Sequence, residues 1–113
     1  MSLHRFNAEL VKNCFHVKVA KECGVNAAVL FTEIAYEVEK NRTEGINLHA
    51  GRYWTFKSNK SFSEQFPYFS ERQVKTALKK LEDSGLVMSG NYNSTPFDRT
   101  KWYTLTKKGY SFL

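Results

Sequence analysis

Basic and polar side chains crowd one short stretch of the chain, between Ser70 and Gly85. Arginine, lysine, glutamine and threonine donate hydrogen bonds to phosphates and to the edges of bases. The residues of the stretch that belong to this group are Arg72, Gln73, Lys75, Thr76, Lys79 and Lys80. No recognisable nucleophile and base accompany them, so the chemistry that they indicate is non-covalent binding of a polyanion.

The same stretch has the spacing of an amphipathic helix. Its apolar residues, at i, i+3, i+4 and i+7, are Val74, Ala77, Leu78 and Leu81. Ser70 with Gln73 three residues later forms the pattern of a capping box, which starts a helix. Gly85 is the residue that commonly follows a helix end. The pattern predicts a helix over 71–84, with the apolar stripe on a core and the cations facing outward.

A shorter helix is predicted directly upstream, over 59–66, with Ser58 as its N-cap. It must end before Pro67, because a proline pushes the preceding residue out of the helical region. Two helices joined by a short turn, here 59–84, form a helix-turn-helix, whose second helix enters the major groove of DNA. In that arrangement Lys57 and Lys60 are candidates for phosphate contacts from the first helix.

Downstream, residues 86–89 and 101–105 are predicted strands of a hairpin that spans 86–105. The segment between them, 90–99, is rich in turn-forming residues. We call this hairpin, with its connecting loop, the wing. A third strand is predicted at 53–56, which makes a small three-stranded antiparallel sheet. The candidate contacts of the wing to a DNA backbone or minor groove are Asn91, Asn93, Arg99 and Lys101.

Several wing and sheet residues have alternative structural interpretations. Arg99 could pair with Asp98 or with another acid and hold the wing in place. Phe97, after a proline, is expected to fold back and pin the loop. The aromatic residues expected in the core or sheet, in preference to stacking on bases, are Trp54, Trp102 and Tyr103.

The N-terminal half of the chain contains a predicted helix over 27–40, capped by Asn26. Its apolar surface is broad, which favours a central helix covered on two sides; the alternative is a homodimer contact shared with the N-terminal segment. A short helix is expected over 2–14, and 15–23 is either a strand or the start of a helical turn. Residues 41–52 are polar and contain glycines, which predicts a loop. Thr106 is expected to cap a last helical turn.

The chain has 113 residues, a hydrophobic fraction of 42% and a net charge of +6. The size predicts one domain. Residues 1–50 hold six basic and six acidic residues, whereas 51–113 hold eleven basic and five acidic ones. The whole basic excess therefore lies in the half with the helix-turn-helix pattern, which favours a polyanionic partner. Neither a membrane span nor a signal peptide is apparent, so we expect a cytoplasmic protein.

Other chemistry has little support in the sequence. Cys14, His16 and Cys23 do not have the spacing of a common zinc site, and buried free thiols are the favoured interpretation. A glycine-rich phosphate loop and a catalytic triad motif are also missing. We therefore expect no enzyme activity, no cofactor and no metal.

Four segments together resemble a known family. They are GVNAAVLFTEIAYEVEKN at 24–41, GRYWTF at 51–56, FPYFSERQVKTALKKLEDSGLV at 66–87 and GNYNSTPFDRTKWYTL at 90–105. In this order they are similar to the N-terminal winged-helix domain of replication initiators, or replisome organisers, of phages and mobile elements of Gram-positive bacteria. The resemblance implies an α+β winged helix-turn-helix of about four helices and a three-stranded sheet, which binds specific double-stranded DNA and meets replication proteins.

Two alternatives remain open at this point. The first is a dimeric transcriptional regulator of the same fold, which would bind a palindrome. The second is a winged helix that binds protein instead of DNA, with the apolar surface of the 27–40 helix as its working face.

Overall fold

The structure, a computed structural model, describes residues 16–113 and is of the α+β class. This part of the chain forms five helices and two small antiparallel sheets. The elements in chain order are α1 (Val17–Cys23), α2 (Val25–Glu44), β1 (Leu48–His49), β2 (Arg52–Tyr53), β3 (Thr55–Phe56), α3 (Asn59–Gln65), α4 (Glu71–Asp83), β4 (Val87–Gly90), β5 (Trp102–Leu105) and α5 (Lys107–Ser111). The expected helix over 2–14 and the thiol of Cys14 lie outside the described residues.

Helices α1 and α2 meet at Gly24, which ends the first and begins the second. Its φ of +92° is a conformation that residues with a Cβ rarely adopt, so the corner needs a glycine. The prediction that Asn26 caps the long helix is therefore wrong, because the helix begins directly after the corner. Of the two alternatives for 15–23, the helical one is confirmed from Val17 onward.

Helix α2 is the centre of the fold. Its buried apolar side chains are Ala27, Ala28, Val29, Leu30, Phe31, Ile34, Ala35 and Val38. They pack against α1, α4 and the strands, as expected for a helix covered on more than one side. Tyr36, an aromatic residue of the same helix, is 61% exposed.

Helix α2 also runs four residues beyond its predicted end, to Glu44. Asn41, in this polar part, is buried and donates from Nδ2 to the carbonyl oxygen of Trp54 at 2.8 Å. Arg42 pairs with Glu39 one turn earlier at 2.8 Å. These contacts give Asn41 and Arg42 hydrogen-bonding partners while both remain helical. The helix therefore continues through this polar segment. Gly45, in the left-handed conformation, ends the helix.

The predicted loop over 41–52 is wrong in its second half as well, since β1 and β2 pair there as a hairpin. Ala50 and Gly51 form its two-residue turn, both with positive φ, as in the type I′ turns that are common in hairpins of this length. Tyr53 belongs to this hairpin, so the predicted strand 53–56 is divided between two sheets.

The second sheet has the predicted three strands, in the order β3-β5-β4. Strand β5 is central: Tyr103 lies opposite Thr55 on one side and Ser89 on the other. Every side chain of β5 is buried. The central strand therefore fixes both ends of the wing to the core.

Both helices predicted over 59–84 are present, close to their predicted limits. Helix α3 ends at Gln65, one residue before the predicted end, and α4 covers the predicted range except for Ser84. Thr106 caps α5, as expected. In α5, a Cβ on Gly109 would lie 2.2 Å from the carbonyl oxygen of Leu86, so a glycine is needed for this close approach.

Candidate nucleic-acid interface

The side of α4 opposite its apolar stripe is open to solvent. The stripe predicted from the sequence is buried, which leaves the polar residues on the surface. We call this exposed side the outer face of α4; its residues are Arg72, Gln73, Lys75, Thr76, Lys79 and Lys80. It carries four cations on about two turns of helix, which is a suitable arrangement for a polyanion.

The predicted capping box is present at the start of α4. The backbone N–H of Gln73 donates to Ser70 Oγ at 3.1 Å, and the N–H of Ser70 donates to Gln73 Oε1 at 2.9 Å. Recognition of adenine by glutamine uses the amide oxygen and nitrogen together. In the capped helix the oxygen is already engaged, so Gln73 has its amide nitrogen left for a ligand. The Ser70 hydroxyl accepts in the cap and keeps its own proton to donate to a phosphate.

One side of the outer face borders an open groove of about 420 Å³. Arg72, Thr76 and Lys80 line it from α4, and the α1–α2 corner lines it from the other side. The corner contributes Val25 and Asn26, which the sequence had not indicated as part of a site. The signal for them was Gly24, a glycine between two helical segments.

The other side of the outer face borders a groove shared with the base of the wing, and its charge is mixed. Lys79 Nζ lies 3.4 Å from Asp83 Oδ2, and Lys101 Nζ lies 3.7 Å from Glu82 Oε2. Exposed pairs of this kind are weak, so both lysines can exchange a carboxylate for a phosphate. The two acids nevertheless repel a polyanion at the C-terminal end of α4. The N-terminal half of α4 is therefore the more suitable surface for a polyanion.

Lys57 and Lys60 have different surroundings although both were predicted to contact phosphate. Lys57 is half-buried; its Nζ lies 3.2 Å from Glu33 Oε2, donates to Gln65 and lies over the ring of Phe62. These contacts hold Lys57 within the protein and leave it poorly placed for DNA. Lys60 is exposed on the first turn of α3 and remains available.

Asn91 and Asn93 build the wing. Asn93 Nδ2 donates to Asn91 Oδ1 at 2.8 Å and to the carbonyl oxygens of Asp98 and Thr100 at 3.0 and 2.8 Å. Its Oδ1 accepts from Trp102 Nε1 at 2.7 Å. Asn93 thus has its donors and its acceptor engaged inside the loop, which argues for a structural role.

Arg99 and Asp98 lie at the exposed end of the wing without pairing with each other. Within residues 16–113, no ion pair involves Arg99, so its charge is available to a ligand. The Asp98 carboxylate accepts instead from the backbone N–H of Thr100 at 3.0 Å. This hydrogen bond to its charged form lowers the pKa of Asp98.

The aromatic residues of the wing base pack on one another. Tyr92 stacks on His49, with ring centroids 4.4 Å apart, and the buried Trp54 and Trp102 contact Tyr92 from other sides. Trp54, Trp102 and Tyr103 are buried, as predicted. The expectation for Phe97 is wrong, because its side chain is 90% exposed.

No protein-family model, curated protein or solved structure matches this chain.

The described part of the chain gives little support to a site of another kind. Between residues 16 and 113, no three His, Cys, Asp or Glu side chains come together as a metal site would require. Cys23 is a buried free thiol, as expected, and its Sγ lies 3.2 Å from Ser84 Oγ. A helix with the length and hydropathy to cross a bilayer is also missing from this range.

Proposed function

We propose that this chain is a winged helix-turn-helix domain that binds specific sequences of double-stranded DNA through the outer face of α4. The elements α2, β3, α3, α4, β4 and β5 follow one another in the order of a winged helix, and β5 lies between β3 and β4 as it does in that fold. The pair α3 and α4, with its short turn, supplies the helix-turn-helix.

The observation that carries the proposal is the exposure of Arg72, Thr76 and Lys80 beside an open groove. In a helix-turn-helix the N-terminal residues of the second helix are nearest the bases. Arg72 lies in the first turn of α4, so its guanidinium is suited to a bidentate contact with guanine. Thr76 follows one turn later and can contact a thymine methyl or a base edge.

We assign the contacts to DNA phosphates to the remaining cations. Lys75 and Lys80 flank the exposed stripe of α4, Lys60 lies on α3, and Arg99 lies on the wing. Such contacts set the position of the protein on the duplex and supply most of its non-specific affinity. Lys79 and Lys101 join them when they leave their carboxylate partners.

The resemblance of four segments to replisome organisers supports a role in initiating replication in the bacterial cytoplasm, with replication proteins as further partners. Initiators of this kind bind repeated sites, whereas a dimeric transcriptional regulator binds a palindrome. The apolar stripe of α2 is used inside the domain, which removes much of the support for a dimer or a protein partner on that helix. DNA binding is therefore the favoured function.

Selection of bound duplexes from a random pool tests the proposal. We expect an enriched sequence whose core is short enough for one helix to contact. Direct repeats in the enriched pool would favour the initiator, and an inverted repeat would favour the dimeric regulator. If no sequence is enriched and no duplex is retained at low salt, the proposal fails.

The variant Arg72→Ala tests the assigned contact on the selected duplex. We expect a loss of about 1–3 kcal/mol of binding free energy and a relaxed preference at one base pair. The matched control is Lys40→Ala, which removes one exposed cation from α2 beside Glu39 and Glu44. Equal binding by the two variants would exclude Arg72 as a base contact.

A further inference from the structure

Phe97 is the most exposed large apolar side chain among the described residues, at 90%. It is in the loop of the wing, directly after Pro96. The other aromatic residues of the wing lie inside the fold: Tyr92 and Trp102 pack against each other and against His49, Tyr92 also contacts Trp54, and Tyr103 is buried. Phe97 is thus the one aromatic side chain of the wing that is exposed to solvent, while the others are packed against the fold.

The exposure of Phe97 is not the result of an unstructured loop. Asn93 ties three points of the loop together through its side chain, and Trp102 fixes Asn93 in turn. Near the end of the wing, the N–H of Asp98 donates to the carbonyl oxygen of Thr95 at 3.4 Å, closing a tight turn around Phe97. The loop therefore holds Phe97 away from the aromatic cluster of Tyr92, Trp102, His49 and Trp54, whose rings already pack on one another.

The neighbours of Phe97 give it a particular chemical setting. Arg99 and Lys101 follow it at intervals of two residues, and both are exposed. Asp98 is the one acid of the loop, and the amide of Thr100 partly offsets its charge. An apolar tip with cations beside it is the combination that proteins use to enter a minor groove, where the apolar side chain parts two base pairs and the cations contact phosphates.

We infer that Phe97 is an apolar wedge that enters the minor groove beside the major-groove contact of α4 and unstacks one base step. This inference deepens the proposed function and depends on it. The base of the wing shares a groove with Lys75 and Lys79 of α4, so a duplex on the outer face of α4 also passes the wing. Pyrimidine–purine steps, which deform most easily, are the expected targets.

The test uses the full chain and the selected duplex, with 2-aminopurine placed in turn at adenines flanking the enriched core. Unstacking increases the fluorescence of 2-aminopurine, so wild-type protein should brighten one position. Phe97→Ala should abolish that increase and weaken binding on the order of tenfold. Phe97→Leu should keep most of both effects, because leucine also serves as a wedge.

Tyr36→Ala is the matched control, since it removes another exposed aromatic side chain, 61% accessible, from α2. It should leave binding and fluorescence unchanged. The thermal unfolding midpoint of Phe97→Ala should equal that of wild type, because the ring makes little contact with the fold.

Several results would overturn the inference. If Phe97→Ala matches wild type in affinity and fluorescence while Arg72→Ala binds more weakly, the wedge is refuted and the proposed function stands. The wedge is also refuted if Phe97→Ala binds more weakly but wild type causes no fluorescence increase at any position. Phe97 would then contact the DNA without unstacking a base step. If Phe97→Ala instead converts a dimer to a monomer in sedimentation, the ring belongs to an interface between copies. If wild type binds no duplex, both proposals fall.

Discussion

Helices α2 and α4 lie side by side in this fold but are held in different ways. Helix α2 is 20 residues long, and no side chain caps its first turn; eight of its apolar residues and Asn41 are buried. Helix α4 is 13 residues long, has a complete capping box and buries a single stripe. Packing by the rest of the chain thus maintains α2, whereas local sequence signals define α4 and leave one side of it exposed.

Because of this difference, substitutions that change stability and substitutions that change DNA affinity should fall on different helices. Substitutions in α2 should change the free energy of unfolding, because its side chains have many partners in the core. Substitutions on the outer face of α4 should change DNA affinity with little effect on unfolding, because these side chains have few partners in the described protein.

Phe31→Ala should have the largest effect. The side chain is completely buried in α2, and removing a buried phenyl ring costs about 3–5 kcal/mol of unfolding free energy. Its counterpart on α4, Lys75→Ala, should change stability by less than about 0.5 kcal/mol. Urea unfolding of both variants checks the contrast. Comparable losses in the two helices would show that the outer face of α4 also stabilises the fold.

Ser70→Ala should have an intermediate effect, since it removes the N-cap of α4. The loss of a serine cap costs about 1 kcal/mol of unfolding free energy, again measured in urea. Ser94→Ala is the matched control, because Ser94 is exposed in the wing and belongs to no helix. An unchanged stability for Ser70→Ala would mean that tertiary packing, and not the capping box, maintains α4.

Protonation of Asp98 should have the smallest effect on the free energy of unfolding, and it occurs only at acid pH. The backbone N–H of Thr100 lowers the pKa of Asp98 in the folded state, so the hydrogen bond adds stability above the unfolded pKa, about 4. That contribution is lost as the pH falls through the lowered pKa. An NMR titration of the Asp98 carboxyl and the Thr100 amide should give a pKa below the ordinary value. A pKa at or above that value would show that the turn is not formed in solution.

The sequence was sufficient for elements with strong local signals. Ser58, Pro67, the capping box and Gly85 predicted the limits of α3 and α4 to within one residue, because these residues act on their neighbours. The β1–β2 hairpin was missed, because its strands have two residues each and its turn begins with Ala50, an unusual residue at positive φ. The C-terminal part of α2 was missed because Asn41 finds its partner, Trp54, 13 residues away.

The same limit applies to the candidate site. The cations of α4 could be placed outward because the apolar stripe fixes the opposite face. Lys57 and Asn93 have suitable side chains for DNA, but each is held by a residue that is not its neighbour in the sequence, Glu33 for Lys57 and Trp102 for Asn93. Such distant pairings leave no periodic signal. Phe97 was expected to fold back and pin the loop, but side-chain contacts between other residues, among them the rings of Tyr92 and Trp102, hold the wing instead.

A titration of wild-type protein with duplex DNA at several salt concentrations tests whether the exposed cations of α4 and the wing bind DNA phosphates. If the outer face of α4 and the wing together neutralise about four to six phosphates, the plot of log K against log salt should have a slope of roughly −4 to −5. A slope near zero, or no binding at low salt, would contradict the claim that these cations form a DNA interface.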